Sequence, residues 1–162
     1  MLDTILPARL IQVLDCFVVK AYYHSCMNKE FINPPTLPNW EQTFSQIVIV
    51  SNNASKTIYL SGQVSVDENQ NLIGEGDLRA QALQAFQNLE TALAAAGAKT
   101  SEVVKLNIYV KGYKPEDAIP VGEALRRYFP EKNLPASTWL GVQALSKEGF
   151  LIEVDAVAVV EL

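Results

Sequence analysis

The sequence predicts an α+β fold, a β-β-α-β-α-β-β mixed sheet with two helices on one face. Three observations predict it. Apolar residues at spacings of three and four run from Leu78 to Gly97, and a shorter helical pattern ends at Phe129. Short apolar or alternating runs flank both patterns. The first helix lies between two strands as a crossover, which makes the sheet mixed and puts both helices on one side.

Taken in order, Asn33–Trp40 carries three prolines and excludes regular structure. Ile47–Val50 is the first strand, Asn52 and Asn53 turn the chain, and Thr57–Val64 completes a hairpin. Asp77 is the N-cap of a helix marked by Leu78, Ala82, Phe86, Leu89 and Leu93, and Gly97 ends it. Val103–Gly112 is the third strand, with Val104, Leu106, Ile108 and Val110 alternating against Lys105, Asn107 and Tyr109. Pro120 then fixes the start of the second helix near Glu116 or Asp117, because proline is tolerated in a first turn. Two strands follow, in Leu134–Leu145 and Leu151–Val160.

In the last strand Val154, Ala156, Ala158 and Val160 line one face; Asp155, Val157 and Val159 line the other. One layer of two helices covers one face only, so self-association is the expected cover for the second.

The 162 residues read as one globular domain, 49% apolar, with net charge −5. That acidic balance and the absence of any Lys/Arg run disfavour nucleic acid. The single histidine, His24, and both cysteines, Cys16 and Cys26, lie in the first 26 residues. From Met27 on, a Ser-His-Asp triad, a Cys nucleophile and a His- or thiolate-ligated metal are excluded. A cytoplasmic, reducing location fits this cysteine usage.

Residues 1–26 follow helical spacing through Leu6, Leu10, Val13, Leu14 and Phe17, interrupted by Arg9 and Asp15. The apolar run is shorter than the roughly 18–20 residues a membrane span needs. Two readings stay open: an appended segment ahead of a natural start at Met27, or a docking helix. The domain proper is therefore set at 27–162.

Candidates for chemistry are few. Ser137 and Thr138 are adjacent hydroxyls with no base to activate them, so they read as a polar strand entry. Glu153 and Asp155 share one strand face, beside apolar Val157 and Val159, where two carboxylates can divide acid and base work. Arg126 and Arg127 sit where cations favour a helix dipole. Gly62, inside a strand, marks a bulge or a close approach to a ligand.

Five segments in register carry a resemblance: YLSGQV at Tyr59–Val64, QALQAFQNLETALAAAG at Gln81–Gly97, VVKLNIYV at Val103–Val110, LPAS at Leu134–Ser137 and IEVDAVAV at Ile152–Val159. Together they resemble the RidA/YjgF family of small trimeric proteins, over about five-sixths of the chain. The resemblance implies a chorismate-mutase-like fold. Three subunits close their sheets into a barrel, and small-molecule ligands enter clefts between subunits. It implies hydrolysis of 2-imino or enamine acids to 2-keto acids and ammonia, without a cofactor or metal.

It also carries site residues onto this chain. The family's Pro-Ala-Arg arginine, which clamps the substrate carboxylate, matches Ser137. The acid beside the attacking water matches Asp155, the early second-helix asparagine matches Gly122, and the position two beyond the arginine matches Trp139. Gly62 lies in a matching segment, and Lys105 or Arg79 is a candidate to reach a neighbour's cleft.

Losing an Arg–carboxylate fork costs on the order of 1.5–3 kcal/mol or more, so ordinary 2-imino acid deamination is expected to be weak. Two functions follow from the resemblance: a RidA-like hydrolase with altered substrate, or a non-catalytic trimer that binds a metabolite or partner. An RNA-cleaving activity, a label some members carry, is disfavoured by the acidic charge and the missing histidine.

Overall fold

A computed structural model describes residues 27–130, 132 and 134–162. The two readings of residues 1–26 lie outside the described residues. Six strands form one sheet: β1 (Asn28–Ile32), β2 (Ile47–Ser51), β3 (Ser55–Val64), β4 (Val103–Lys111), β5 (Ala136–Val142) and β6 (Ile152–Glu161). Their order across the sheet is β1-β2-β3-β6-β4-β5. Only β4 and β5 run parallel; every other neighbouring pair is antiparallel.

Two helices, α1 (Leu78–Ala95) and α2 (Ala118–Tyr128), pack against each other, and α1 lies on β3 and β6. The core lies between this layer and the sheet. Ala82, Phe86, Leu89 and Leu93 of α1 meet Ile58, Leu106, Ile108, Val154, Ala156 and Ala158 there, all buried. The Phe86 ring stacks on Tyr128 and meets Phe129 edge-on, which joins α1 to the end of α2.

Local chemistry sets the helix ends. The Asp77 carboxylate accepts from the N–H groups of Arg79 and Ala80 at 2.9 and 3.1 Å, satisfying two donors that a helix start leaves open. Gly97 turns with φ +65°, and Lys56 Nζ donates to the Ala96 carbonyl at 2.7 Å. A 3₁₀ turn at Pro115–Asp117 leads into α2, which begins at Ala118 and carries Pro120 in its first turn.

Two departures from the sequence reading are local. An additional edge strand, β1, pairs with β2; its residues are mostly exposed, so no apolar alternation announced it. On β4, Val104 faces out at 48% exposure and Val103 is buried in its place, because the β4–β6 register shifts between Val103 and Lys105. From Leu106 onward the predicted alternation holds.

The face away from the helices is open. It carries Tyr59, Lys105, Asn107, Tyr109, Asp155, Val157 and Val159, none of them buried. Among the described residues, no helix is long and apolar enough to cross a membrane.

Candidate functional site

A bulge in β3 builds one wall of a candidate site. The β3–β6 register slips between Leu60 and Gln63, so Ser61 and Gly62 leave the ladder. Ser61 bonds sideways instead: its N–H donates to the Gln46 carbonyl at 2.9 Å and its hydroxyl to the Ser45 carbonyl at 2.7 Å. Gln63 Nε2 donates to Gln46 Oε1 at 2.9 Å, and Gln46 Nε2 to the Pro38 carbonyl at 2.9 Å. This buried amide chain ties the bulge to the proline-rich segment and holds it open.

The space opened is a cleft of about 400 Å³, lined by Trp40, Phe44, Gly62, Lys147, Phe150 and Glu153, with Thr43, Ser61, Val64 and Ser146 between them. That volume suits a small organic ligand. A Cβ at Gly62 would collide with the Glu153 carboxyl group, so glycine is required for that side chain to lie across the bulge. Burial, and then the negative charge of Asp155, push the Glu153 carboxyl above its ordinary value of 4.5. A carboxyl so placed takes and returns a proton closer to neutral pH.

The walls come from loops. Trp40 and Phe44 stack with ring centroids 6.3 Å apart, and Lys147 Nζ lies over the Trp40 ring at 4.4 Å. The loop carrying Lys147 and Phe150 is pinned by the fully buried Gln81 of α1. Its Nε2 donates to the Gly149 carbonyl at 2.9 Å, and its Oε1 accepts from the Leu151 N–H at 2.9 Å. Gly149 turns there with φ +87°.

The residues singled out from sequence divide between places. Glu153 and Gly62 meet in the cleft. Asp155 lies one pleat along on the open face, where it accepts from Asn107 Nδ2 at 2.7 Å, and it does not line the cleft. Beside it the Tyr109 phenol is pushed up, by burial first and then by Asp155. Lys105 is also on the open face, donating through Nζ to the Thr138 hydroxyl.

Ser137 and Trp139 lie on the opposite face. In the parallel β4–β5 register they sit beside Leu106 and Ile108, which point to the helices. The exposed Ser137 hydroxyl donates to the Pro135 carbonyl at 3.0 Å. Trp139 packs edge-on against Tyr113, and its indole N–H is buried without a partner among the described residues.

Gly122 is buried on α2, where the Arg126 guanidinium folds back to 3.3 Å from the position a Cβ would take. Arg79 pairs with Glu123 between the two helices. Within the chain, then, Ser137, Trp139, Gly122 and Lys105 are apart from the Glu153 cleft.

Sequence reasoning missed Trp40, Phe44, Lys147 and Phe150, because a wall made by two loops leaves no period to read. The faint signal was an aromatic pair four residues apart at the end of a proline-rich stretch.

Known proteins resemble this chain over most of its length. A family model described as Endoribonuclease L-PSP matches residues 36–160. A 2-iminobutanoate/2-iminopropanoate deaminase of Dermatophagoides farinae is 34% identical over 133 residues, covering 82% of this chain and 98% of the relative. The protein of that name from Homo sapiens is 33% identical over 135 residues, covering 83% and 93%. Among solved structures, RidA from the Antarctic bacterium Psychrobacter sp. superposes with TM-score 0.70 at 29% identity, over 81% of this chain and 99% of that one. A putative endoribonuclease of Thermotoga maritima gives 0.71 at 28% identity, over 82% and 98%. The sheet order, the helix layer and these likenesses agree, and the chain belongs to the RidA/YjgF family.

Proposed function

We propose that the protein hydrolyses small imines or enamines to carbonyl compounds and ammonia, with Glu153 as the group that moves the protons. One observation carries this reading: a carboxyl with a raised pKa lies over a glycine bulge in an aromatic-walled cleft.

In the reaction, an enamine first takes a proton on carbon to become the iminium form of the imine. A water oxygen adds to the iminium carbon as the Glu153 carboxylate takes one of its protons, leaving a neutral carbinolamine. Glu153 returns that proton to the nitrogen, the C–N bond breaks with its electron pair going to nitrogen, and the hydroxyl proton passes to the Glu153 carboxylate as the carbonyl forms and ammonia leaves. The same carboxyl serves first as base and then as acid. This gives the water-activating role to Glu153 rather than to Asp155, which is engaged by Asn107 outside the cleft.

Two further parts belong to the reading. Three copies associate through their open sheet faces, which supplies the cover that the helix layer leaves undone. A neighbouring subunit then brings its Ser137 edge toward the cleft. Serine cannot make the bidentate contact of an arginine, so ordinary 2-imino acids are poor substrates.

The test generates imines in situ with an amino-acid oxidase and follows carbonyl product and ammonia. Glu153→Gln is expected to lower the rate by about 10²–10⁴-fold. A Glu153→Gln protein as fast as the parent removes the proposal. The absent arginine favours one other reading, a trimeric binding module without turnover; saturable ligand binding with no hydrolysis of any imine would select it.

A further inference from the structure

We infer that Lys147 is the anion-holding residue of the cleft, and that the ligand it selects is a small, flat monocarboxylate with an aromatic or aliphatic body. The inference rests on the reading of this cleft as the ligand site and names the chemistry of what enters it.

Lys147 is the cation among the residues that line the cleft, and it belongs to the loop between β5 and β6 rather than to either helix. Its ammonium is held over the face of Trp40 at 4.4 Å. It makes no ion pair with Glu153. Burial and the charge of Asp155 both raise the Glu153 pKa, and Lys147 is not among its causes. The cleft therefore has a positive group and a proton-accepting group that leave each other unneutralised. Trp40, Phe44 and Phe150 form the apolar surface of the same cleft.

A carboxylate on Lys147 completes that arrangement. The anion meets an ammonium already positioned by the Trp40 ring, the ligand body lies against the aromatic walls, and its reacting carbon is left toward Glu153. A dicarboxylate would bring a second charge against Glu153 and is disfavoured. A lysine offers a point charge where an arginine offers a fork, so it holds a carboxylate without fixing its plane. This explains how a member with Ser137 in place of the arginine retains a cation for an acidic ligand, and why its choice among acids should differ.

The test uses benzoate and its neutral counterpart benzamide, by titration calorimetry on the full chain. Trp40 emission in a Trp139→Phe background gives a second readout, since the chain has two tryptophans. Benzoate is expected to bind the parent about tenfold more tightly than benzamide, the size of one charge-assisted hydrogen bond, and to weaken as salt is added. Lys147→Gln should bring benzoate to the benzamide level, and Lys147→Arg should keep the preference. Benzoate binding that is equal in the parent and in Lys147→Gln, or no tighter than benzamide binding in the parent, overturns the inference. Lys147-dependent binding with no imine hydrolysis leaves this inference standing and removes the hydrolase reading. Hydrolysis of imino acids that is indifferent to Lys147→Gln does the reverse.

Discussion

The two faces of the sheet are made from the same strands and behave as different materials. On the helix side, Ile58, Leu106, Ile108, Val154, Ala156 and Ala158 are buried against α1 and α2 without a polar atom among their side chains. On the other side, alternate residues of those strands are Tyr59, Asn107, Tyr109, Glu153, Asp155 and Val157. One pleat separates the two sets. The packed face tolerates only shape, so it fixes the fold. The open face keeps charges, hydroxyls and half-exposed apolar groups, and its edge at the β3 bulge supplies Glu153 to the cleft.

The largest effects should separate the faces most clearly. Phe86→Ala on the packed face is expected to cost about 3–5 kcal/mol, read as a lowered denaturation midpoint, because a fully buried ring in contact with Tyr128 and Phe129 leaves a cavity. In the isolated subunit Tyr59, at 49% exposure, has little to lose. If three copies close over the open face, Tyr59→Ala and Val157→Glu should instead break the assembly. Sedimentation velocity would show a trimer for the parent and smaller species for Val157→Glu; a parent that is monomeric at micromolar concentration ends the barrel reading.

Glu153→Gln sharpens the contrast because one change should move stability and activity in opposite directions. Activity falls by about 10²–10⁴-fold. Stability at neutral pH should rise. The folded-state pKa of Glu153 is raised, so the native state holds the proton more tightly than the unfolded chain does. Stability therefore falls as pH climbs from the ordinary value through the raised one, and that penalty persists above it. Glutamine removes it. Thermal melts at pH 7 and at pH 4 should show the variant's advantage only at the higher pH.

Ser137→Arg should have a smaller effect, a gain of about tenfold or more in hydrolysis of small 2-imino acids. Ser137 shares the helix-side face with Leu106, away from its own chain's cleft, so under the trimer proposal its arginine would serve a neighbour's cleft. The gain should vanish when the assembly is broken by Val157→Glu. Trp139→Ala added to Ser137→Arg tests whether the indole blocks the new side chain.

The contrast also explains what was legible in the sequence. The packed face was, because burial imposes period: Ala82, Phe86, Leu89 and Leu93 on α1, and the Leu106–Val110 alternation on β4, all lie where their spacing put them. Caps were legible for the same local reason, Asp77 and Gly97 each acting within a few residues. Val104 misled because a register slip is set by the partner strand, which no local pattern records. The strand β1 was silent because an exposed edge needs no apolar code. In the cleft, Gly62 announced its bulge, and the Glu153–Asp155 pair was visible as a pair. Which acid faces the cleft depends on how β3 slips against β6, a tertiary fact. Lys147 and Trp40 lie 107 positions apart in the chain and meet only through the fold.

The finest test of the comparison changes the neighbour of the cleft acid and leaves the acid itself. Asp155 raises the Glu153 pKa through its negative charge, after burial, while bonded to Asn107 on the open face. Asp155→Asn removes the charge and keeps the size. The ionised form of Glu153 then becomes easier to reach, so its pKa should fall back toward 4.5, stopping short because burial remains. If Glu153 is the base, the rising acidic limb of kcat/KM should move to lower pH in Asp155→Asn with only a modest change in the plateau. If Asp155 is itself the base, the plateau should collapse and no shifted limb should be measurable. A pH–rate profile of the two proteins therefore decides between adjacent carboxylates on one strand, one at the cleft and one on the face beside it.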